Sequence, residues 1–296
     1  MTCKNCGKEN RPEARYCRFC GAEQTVASTQ KGLIGKDSIA PKLEELDMKL
    51  KVAREFAATG ARMGLDCLIM GDSGTGKRFI AKLISDKMLA AGVAKRAPKE
   101  VDAADWADFA NDFDNNIAAL KDGILLITNA QKLVPTTKAN DVIELDKLFT
   151  RMGNTEGAPI VILCGLLNDM CAFLENNKSV HRLFEFDFKL DAFGLEELTE
   201  LTVSILKEKY NKEADEALGK RLRAHFAWFM RQPDLGHTNG HLAEKVAEDV
   251  CVKAICRGSK TVGEQDVNTA ECFIPKTEEE IFADLDKYIG LQSVKD

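Results

Sequence analysis

The run Gly71–Arg78, GDSGTGKR, constrains the fold more than any other feature of this chain. It follows the apolar stretch 65–70 and precedes 79–89, where apolar residues recur at helical spacing. Glycines in such a run let backbone N–H groups close around a phosphate, and the lysine reaches the terminal phosphates. The sequence therefore predicts a strand, a phosphate-binding loop and a helix in an α/β fold.

Arg78 departs from the phosphate-loop pattern, in which Ser or Thr follows the lysine and its hydroxyl holds Mg²⁺. Two interpretations of Arg78 stay open. Its guanidinium could take the place of the missing metal and neutralise phosphates directly, or it could be a solvated residue of the first helical turn. Asp72 is unusual too, since a carboxylate repels phosphates unless its side chain points to water. The phosphate cradle is complete, but a metal ligand is missing.

Four cysteines near the N-terminus form two pairs, Cys3-x-x-Cys6 and Cys17-x-x-Cys20, separated by ten residues and each followed by glycine. Two such turns supply the four sulfurs of a tetrahedral Zn²⁺ site, and no ligand position is left open, so the zinc would be structural. The metal would also supply the folding energy of so short a segment. The alternative is two disulfides or free thiols. We expect a small zinc ribbon that contacts other proteins.

Composition limits the class of protein. With 296 residues the chain has room for about two domains. A net charge of −6 argues against a mainly electrostatic nucleic-acid binder. No run approaches the roughly 20 apolar residues of a membrane span, and the N-terminus does not resemble a signal peptide. We expect the six remaining cysteines to be reduced and mostly buried, which predicts a cytoplasmic protein. These are Cys67, Cys164, Cys171, Cys251, Cys256 and Cys272.

Strand and helix patterns alternate along the first two thirds of the chain. Apolar runs predict strands at 65–70, 101–102, 124–127, 159–164 and 184–188, and helical spacing occurs at 39–56, 106–120 and 142–152. This alternation predicts a parallel sheet with helices on its faces. From 195 to 257 the pattern is only helical, which predicts a second, all-α domain.

The ordered set of motifs over residues 32–260 resembles the AAA+ ATPases, in particular the branch that contains the red-type Rubisco activases and the type VII secretion ATPases. The resemblance rests on Leu33–Ile39 (adenine pocket), Gly71–Lys77 (Walker A), Ile124–Ala130 (Walker B), Ile160–Gly165 (next strand), Asn177–Phe184 (arginine fingers) and Gly236–Gly240 (sensor of the lid). It implies that ATP or ADP binds at Ile34, Gly35, Gly71, Ser73, Gly74, Thr75, Gly76, Lys77 and Arg78.

The groups that perform hydrolysis in that family are missing. At the two Walker B carboxylate positions, which hold Mg²⁺ and polarise water, the chain has Thr128 and Asn129. The finger segment keeps one shifted arginine, Arg182, and the sensor position holds Asn239. We therefore expect no catalytic residues, nucleotide binding that depends only weakly on Mg²⁺, and very slow hydrolysis or none.

Two further pairs of residues are candidates for a ligand-binding or a packing role. His237 and His241, four residues apart, could hold a metal, but no third ligand is evident and a surface or lid contact is favoured. Cys251 and Cys256 are interpreted as helix-packing residues.

The C-terminal segment Tyr288–Val294 echoes Leu33–Ile39, which suggests that a second module begins there; the alternative is a chance amphipathic tail. The expected organisation is a zinc ribbon (1–24), a linker (25–32), an α/β core (33–190), a helical lid (191–272), and a linker with the start of a possible second module (273–296).

The function that follows is that of a degenerate AAA+ module, which binds ATP or ADP with little or no hydrolysis and acts in the assembly or regulation of an ATPase machine. Its expected partners are proteins, in particular other AAA+ modules or subunits, and neither membrane nor nucleic acid. The alternatives are an active AAA+ ATPase that remodels a protein partner and an interaction scaffold that binds no nucleotide.

Overall fold

A computed structural model describes residues 33–35, 37–58, 63–133, 150, 158–176, 178–231 and 239–267. The four ribbon cysteines, His237, Cys272 and the segment 273–296 lie outside these residues. A five-stranded parallel sheet forms the centre of the described part. Its strands are β1 (Cys67–Gly71), β2 (Lys99–Asp102), β3 (Ile124–Thr128), β4 (Ile160–Gly165) and β5 (Phe186–Leu190).

The strand order in the sheet is β2-β3-β4-β1-β5, and every neighbouring pair is parallel. All residues of β1, β3 and β4 are buried, which explains why these strands are continuous apolar runs rather than alternating ones. The carboxyl ends of all five strands meet at one edge of the sheet. Ligands of open α/β sheets bind at this edge, where the order of connection reverses beside the first strand.

Helices pack on both faces of the sheet. They are α1 (Ala40–Ala58), α2 (Lys77–Ala90), α3 (Trp106–Asn111), α4 (Phe113–Ala119), α5 (Leu167–Asn176) and α6 (Lys178–His181). One face packs against α1 and α2, and the other packs against α3, α4 and α5. Successive strand residues alternate between the two clusters, as pleating requires: Ile69 belongs to the first and Met70 to the second.

Three helices after the sheet share a separate apolar cluster and form the helical lid: α7 (Leu195–Glu208), α8 (Glu216–Phe229) and α9 (Asn239–Cys256). The sequence predicted only helices here. The lid also contains two two-residue strands, β6 (Glu213–Ala214) and β7 (Thr261–Val262), which pair in parallel. This pair is too short to leave a period-2 signal. Among the described residues no helix has the length and apolar composition to cross a membrane.

Other predicted elements differ locally from the structure. The apolar stripe 106–120 lies on two helices rather than one, because Asp112, a weak helix former, leaves the helical conformation between them. The fifth strand runs over Phe186–Leu190, two residues later than predicted. The predicted helix 142–152 lies almost wholly outside the described residues. Cys67, Cys164 and Cys251 are buried free thiols, but Cys256 is exposed, so its interpretation as a packing residue was wrong.

Candidate nucleotide-binding site

The phosphate loop joins the carboxyl end of β1 to the start of α2 and closes on itself. Thr75 Oγ1 donates a hydrogen bond to the Asp72 carbonyl at 2.9 Å. Gly74 and Gly76 have φ of 76° and 87°, which disfavours any residue with a Cβ. A Cβ at Gly71 would lie 2.6 Å from Thr75 Oγ1 and 2.8 Å from the Leu190 carbonyl. Glycine is therefore required by space at Gly71 and by backbone conformation at the two later positions.

Lys77 is held at the base of this loop. Its Nζ donates hydrogen bonds to the carbonyl oxygens of Gly71, at 2.8 Å, and Asp72, at 2.7 Å. Partial burial lowers the pKa of the Lys77 ammonium. The electrostatic interactions of Lys77 with Cys164 and Asp72 act in the opposite direction and raise this pKa. The Asp72 side chain itself is exposed. A half-buried ammonium bonded only to neutral carbonyls is an electrostatically favourable partner for a phosphate.

A cavity of about 600 Å³ lies between the phosphate loop and the helical lid. Apolar side chains line one part of the cavity. Ile34 comes from the segment before α1, and Phe193, Leu201 and Ile205 belong to the apolar cluster of the lid. Polar residues of the lid complete the wall: Ser204, Glu208, His241 and Glu244. An apolar wall with few polar groups, next to a phosphate cradle, has the character of a nucleotide-binding pocket.

The segment before α1 is fitted closely to the lid. Gly35 has φ of 63°, and a Cβ there would lie 2.6 Å from the carboxyl carbon of Glu197. Glu197 Oε2 accepts a hydrogen bond from the Gly194 N–H at 2.6 Å, so the carboxylate is anchored to the first turn of α7. Ile34 is therefore held against the lid at the cavity wall.

The lid also bonds directly to the phosphate loop through Asn239 and Gly240, the first residues of α9. Asn239 Nδ2 donates to the Ser73 carbonyl at 2.8 Å, and Asn239 Oδ1 accepts from the Phe193 N–H at 3.0 Å. The Gly240 N–H donates to the Gly74 carbonyl at 3.0 Å. A Cβ at Gly240 would lie 2.7 Å from that carbonyl. From the sequence, Asn239 is identified only as a residue that replaces an arginine. The Asn-Gly pair at the start of a helix is the sequence signal that could have indicated its close contact with the phosphate loop.

The carboxyl end of β3 carries no charge. Thr128 is 3% exposed and lines the cavity, and its hydroxyl oxygen has no hydrogen-bond partner among the described residues. Asn129 has φ of 52° and donates from Nδ2 to Asp102 Oδ2 at 2.6 Å. Asp102 also accepts from the Ala104 N–H, and this bond is the largest cause of its lowered pKa. The carboxylate that Asn129 contacts thus lies on the neighbouring strand, with both of its oxygens hydrogen-bonded.

Arg78 follows the loop lysine and lines the cavity, with its Nε 3.0 Å from Glu100 Oε1 on β2. Its side chain is 69% exposed, so the ion pair is a solvated one. Cys164, at the end of β4, also lines the cavity, and burial raises the pKa of its thiol to about 12. Burial thus disfavours the thiolate of Cys164, which is the nucleophilic form of a cysteine. His181 and Arg182 are exposed and do not line this cavity.

These residues fit a nucleotide better than they fit Mg²⁺. Ile34, Ser73, Gly74, Gly76, Lys77 and Arg78 line the cavity, while Gly35, Gly71 and Thr75 shape its walls and loop. The described residues contain no group of three or more His, Cys, Asp or Glu placed to hold a metal ion. At the two positions that hold Mg²⁺ in an active family member stand the guanidinium of Arg78 and the hydroxyl of Thr128, and the amide of Asn129 stands where the water-polarising carboxylate would be.

Comparisons with known proteins agree with this fold. A family profile for the zinc-ribbon domain matches residues 2–24. The chain is 26% identical over 226 residues to the ESX-3 secretion system protein EccA3 of Mycolicibacterium smegmatis, covering 73% of this chain and 35% of that protein. It is 28% identical over 199 residues to the ESX-1 secretion system protein EccA1 of Mycobacterium tuberculosis, covering 61% and 34%.

Among solved structures, a Thermotoga maritima RuvB variant has a similar fold, with a TM-score of 0.54 and 15% identity over 88% of this chain and 78% of the other. The parallel sheet, the phosphate loop and the helical lid have the fold of an AAA+ module, and the zinc-ribbon match precedes them in the chain. The chain is similar to the EccA proteins of ESX secretion systems, which confirms the resemblance noted in the sequence. It spans about a third of the length of these relatives.

Proposed function

We propose that this chain is a nucleotide-binding AAA+ module that holds ATP or ADP with little or no hydrolysis. The proposal rests on one contrast. The phosphate loop is closed and keeps Lys77, while Thr128 and Asn129, at the end of β3, carry no charge. Phosphoryl transfer needs groups that neutralise charge and position water, whereas binding needs mainly the cradle and the base pocket.

We further propose that the module works in the assembly or regulation of a larger ATPase machine in the cytoplasm. A module that binds nucleotide without turnover can hold its lid and core in a fixed arrangement and so set the geometry of neighbouring modules. The named role of the relatives in secretion systems supports protein partners for this chain too. The ribbon would bind one structural Zn²⁺ through Cys3, Cys6, Cys17 and Cys20 and would serve as a contact element.

Calorimetric titration of the full chain with ATP and with ADP tests the nucleotide proposal. The parent should bind, and Lys77→Ala should weaken binding by about 10- to 100-fold or more, because one charge-assisted hydrogen bond to a phosphate is lost. Lys82→Ala is the matched control, since Lys82 is an exposed lysine of the same helix that does not line the cavity. The control should bind like the parent.

Two results would favour the rival functions. A parent chain that binds neither ATP nor ADP would leave only the interaction scaffold. Steady phosphate release that Lys77→Ala abolishes and Lys82→Ala preserves would identify a working ATPase that hydrolyses without Walker B carboxylates.

A further inference from the structure

Two residues in the same small region of the described structure replace the magnesium ligands of the family. One is Arg78, where the family has a hydroxyl ligand for the metal. The other is Thr128, where the family has the carboxylate that holds the metal. The first replacement adds a positive charge beside the phosphates, and the second removes a negative charge. Both changes act in the same electrostatic direction, since both favour an anion that arrives without a metal.

The Thr128 hydroxyl provides an independent sign of a ligand. Thr128 is 97% buried, its hydroxyl oxygen has no partner in the part of the chain that the structure describes, and the residue lines the cavity that contains Lys77 and Arg78. Buried hydroxyls in folded proteins are nearly always hydrogen-bonded, because an unpaired one loses its hydration without compensation. A hydroxyl can donate to a phosphate oxygen, whereas an aspartate at this position repels phosphate unless a cation lies between them.

The two carboxylates of β2 close to this region, Glu100 and Asp102, are already occupied. Glu100 pairs with Arg78, and Asp102 accepts from the Ala104 N–H and from Asn129 Nδ2. A divalent ion held by these carboxylates would have to break these bonds and approach the guanidinium of Arg78. Neither requirement is compatible with tight binding of Mg²⁺, which demands near-octahedral oxygen ligands.

We propose that this site binds the terminal phosphates of its nucleotide without Mg²⁺, with Arg78 supplying the positive charge of the metal and Thr128 donating a hydrogen bond to the phosphate. In this arrangement Arg78 breaks its ion pair with Glu100 when it binds the phosphate. This inference rests on the proposed nucleotide function and adds the chemical form of the ligand, a metal-free nucleoside polyphosphate.

Glu100 competes with the phosphate for the same guanidinium, so its neutralisation should strengthen binding. An exposed ion pair is a weak competitor, which predicts that Glu100→Gln raises ATP affinity by about two- to fivefold. The matched control is Glu196→Gln, because Glu196 forms an ion pair with Arg223 in the helical lid, and neither residue lines the cavity. The control should leave ATP affinity unchanged.

The test is a titration of the full chain with ATP in excess EDTA and again in excess Mg²⁺. We expect dissociation constants that differ by less than about tenfold, a ratio that corresponds to 1.4 kcal/mol. Arg78→Ala should weaken binding in EDTA by at least about fivefold, whereas Arg223→Ala should not. The double variant Arg78→Ser with Thr128→Asp should bind tightly only when Mg²⁺ is present, since it restores both metal ligands.

Thr128→Val separates a ligand-binding role from a structural one. Valine has nearly the shape of threonine without the hydroxyl, so the empty chain should melt at the same temperature or higher, while the rise in melting temperature caused by ATP should shrink. A rise equal to that of the parent would remove Thr128 from the site. A gain of tenfold or more from Mg²⁺ in the parent would overturn metal-free binding and leave nucleotide binding intact. No binding under either condition would instead refute the proposed function.

Discussion

Asn239 fixes the helical lid on the phosphate loop, and its replacement by glycine isolates that contact. Asn239→Gly removes the hydrogen bonds to the Ser73 carbonyl, at 2.8 Å, and from the Phe193 N–H, at 3.0 Å. Each such bond contributes about 0.5–1.5 kcal/mol net, so together they contribute about 1–3 kcal/mol. Glycine is the right replacement because Asn239 has φ of 53°, where alanine would add strain.

Asn211 offers a matched control. It has φ of 51° and an exposed side chain, and it follows α7 in the helical lid without lining the cavity. Asn211→Gly therefore changes the conformational entropy of the unfolded chain by the same amount as Asn239→Gly but removes no contact with the loop. The difference between the two variants measures the contact alone.

The assay is urea denaturation of the full chain, followed by circular dichroism, with parent and both variants measured side by side. We expect Asn239→Gly to unfold with a free energy about 1–3 kcal/mol lower than Asn211→Gly. Equal unfolding free energies would refute the argument that these two hydrogen bonds hold the lid on the loop.

Three further predictions follow from other parts of the chain. Metal analysis of the purified chain should find one Zn²⁺, and a chain without zinc, or one with disulfides between the ribbon cysteines, would rule out the zinc site. Asp266→Asn should lower the free energy of unfolding by about 1–3 kcal/mol at neutral pH, because the buried Asp266 carboxylate accepts from the Arg257 guanidinium and the Gly263 N–H. These bonds lower the pKa of Asp266 below its unfolded value near 3.9, so the difference from the parent is full above that value and disappears as pH falls through the folded pKa. Light scattering should show a monomer or weak oligomer with and without ATP, whereas a stable hexamer would show that this module drives assembly by itself.

The sheet could be predicted because the pattern that indicates each strand lies within a short segment of the sequence. The runs that form β1, β3 and β4 are continuously apolar, and burial on both faces of a parallel sheet requires that pattern. The phosphate loop could be predicted as well, because the spacing of its glycines and of Lys77 is typical of a phosphate-binding loop.

Contacts between distant segments could not be predicted in this way. The Arg78–Glu100 pair joins the first turn of α2 to β2, and the contact of Asn239 with Ser73 joins residues 166 positions apart. The hydroxyl of Thr128 is buried without a partner only because the sheet and the loop enclose it. Composition and periodicity contain no information about contacts between residues that are far apart in the sequence.

A single-turnover experiment tests the central claim most directly. The full chain is held in excess over radiolabelled ATP, and the bound nucleotide is separated and identified over time. Binding without turnover predicts that the label stays on the protein as ATP, and that Lys77→Ala retains much less of it. Conversion of the bound ATP to ADP and phosphate by the parent, lost in Lys77→Ala, would contradict the account.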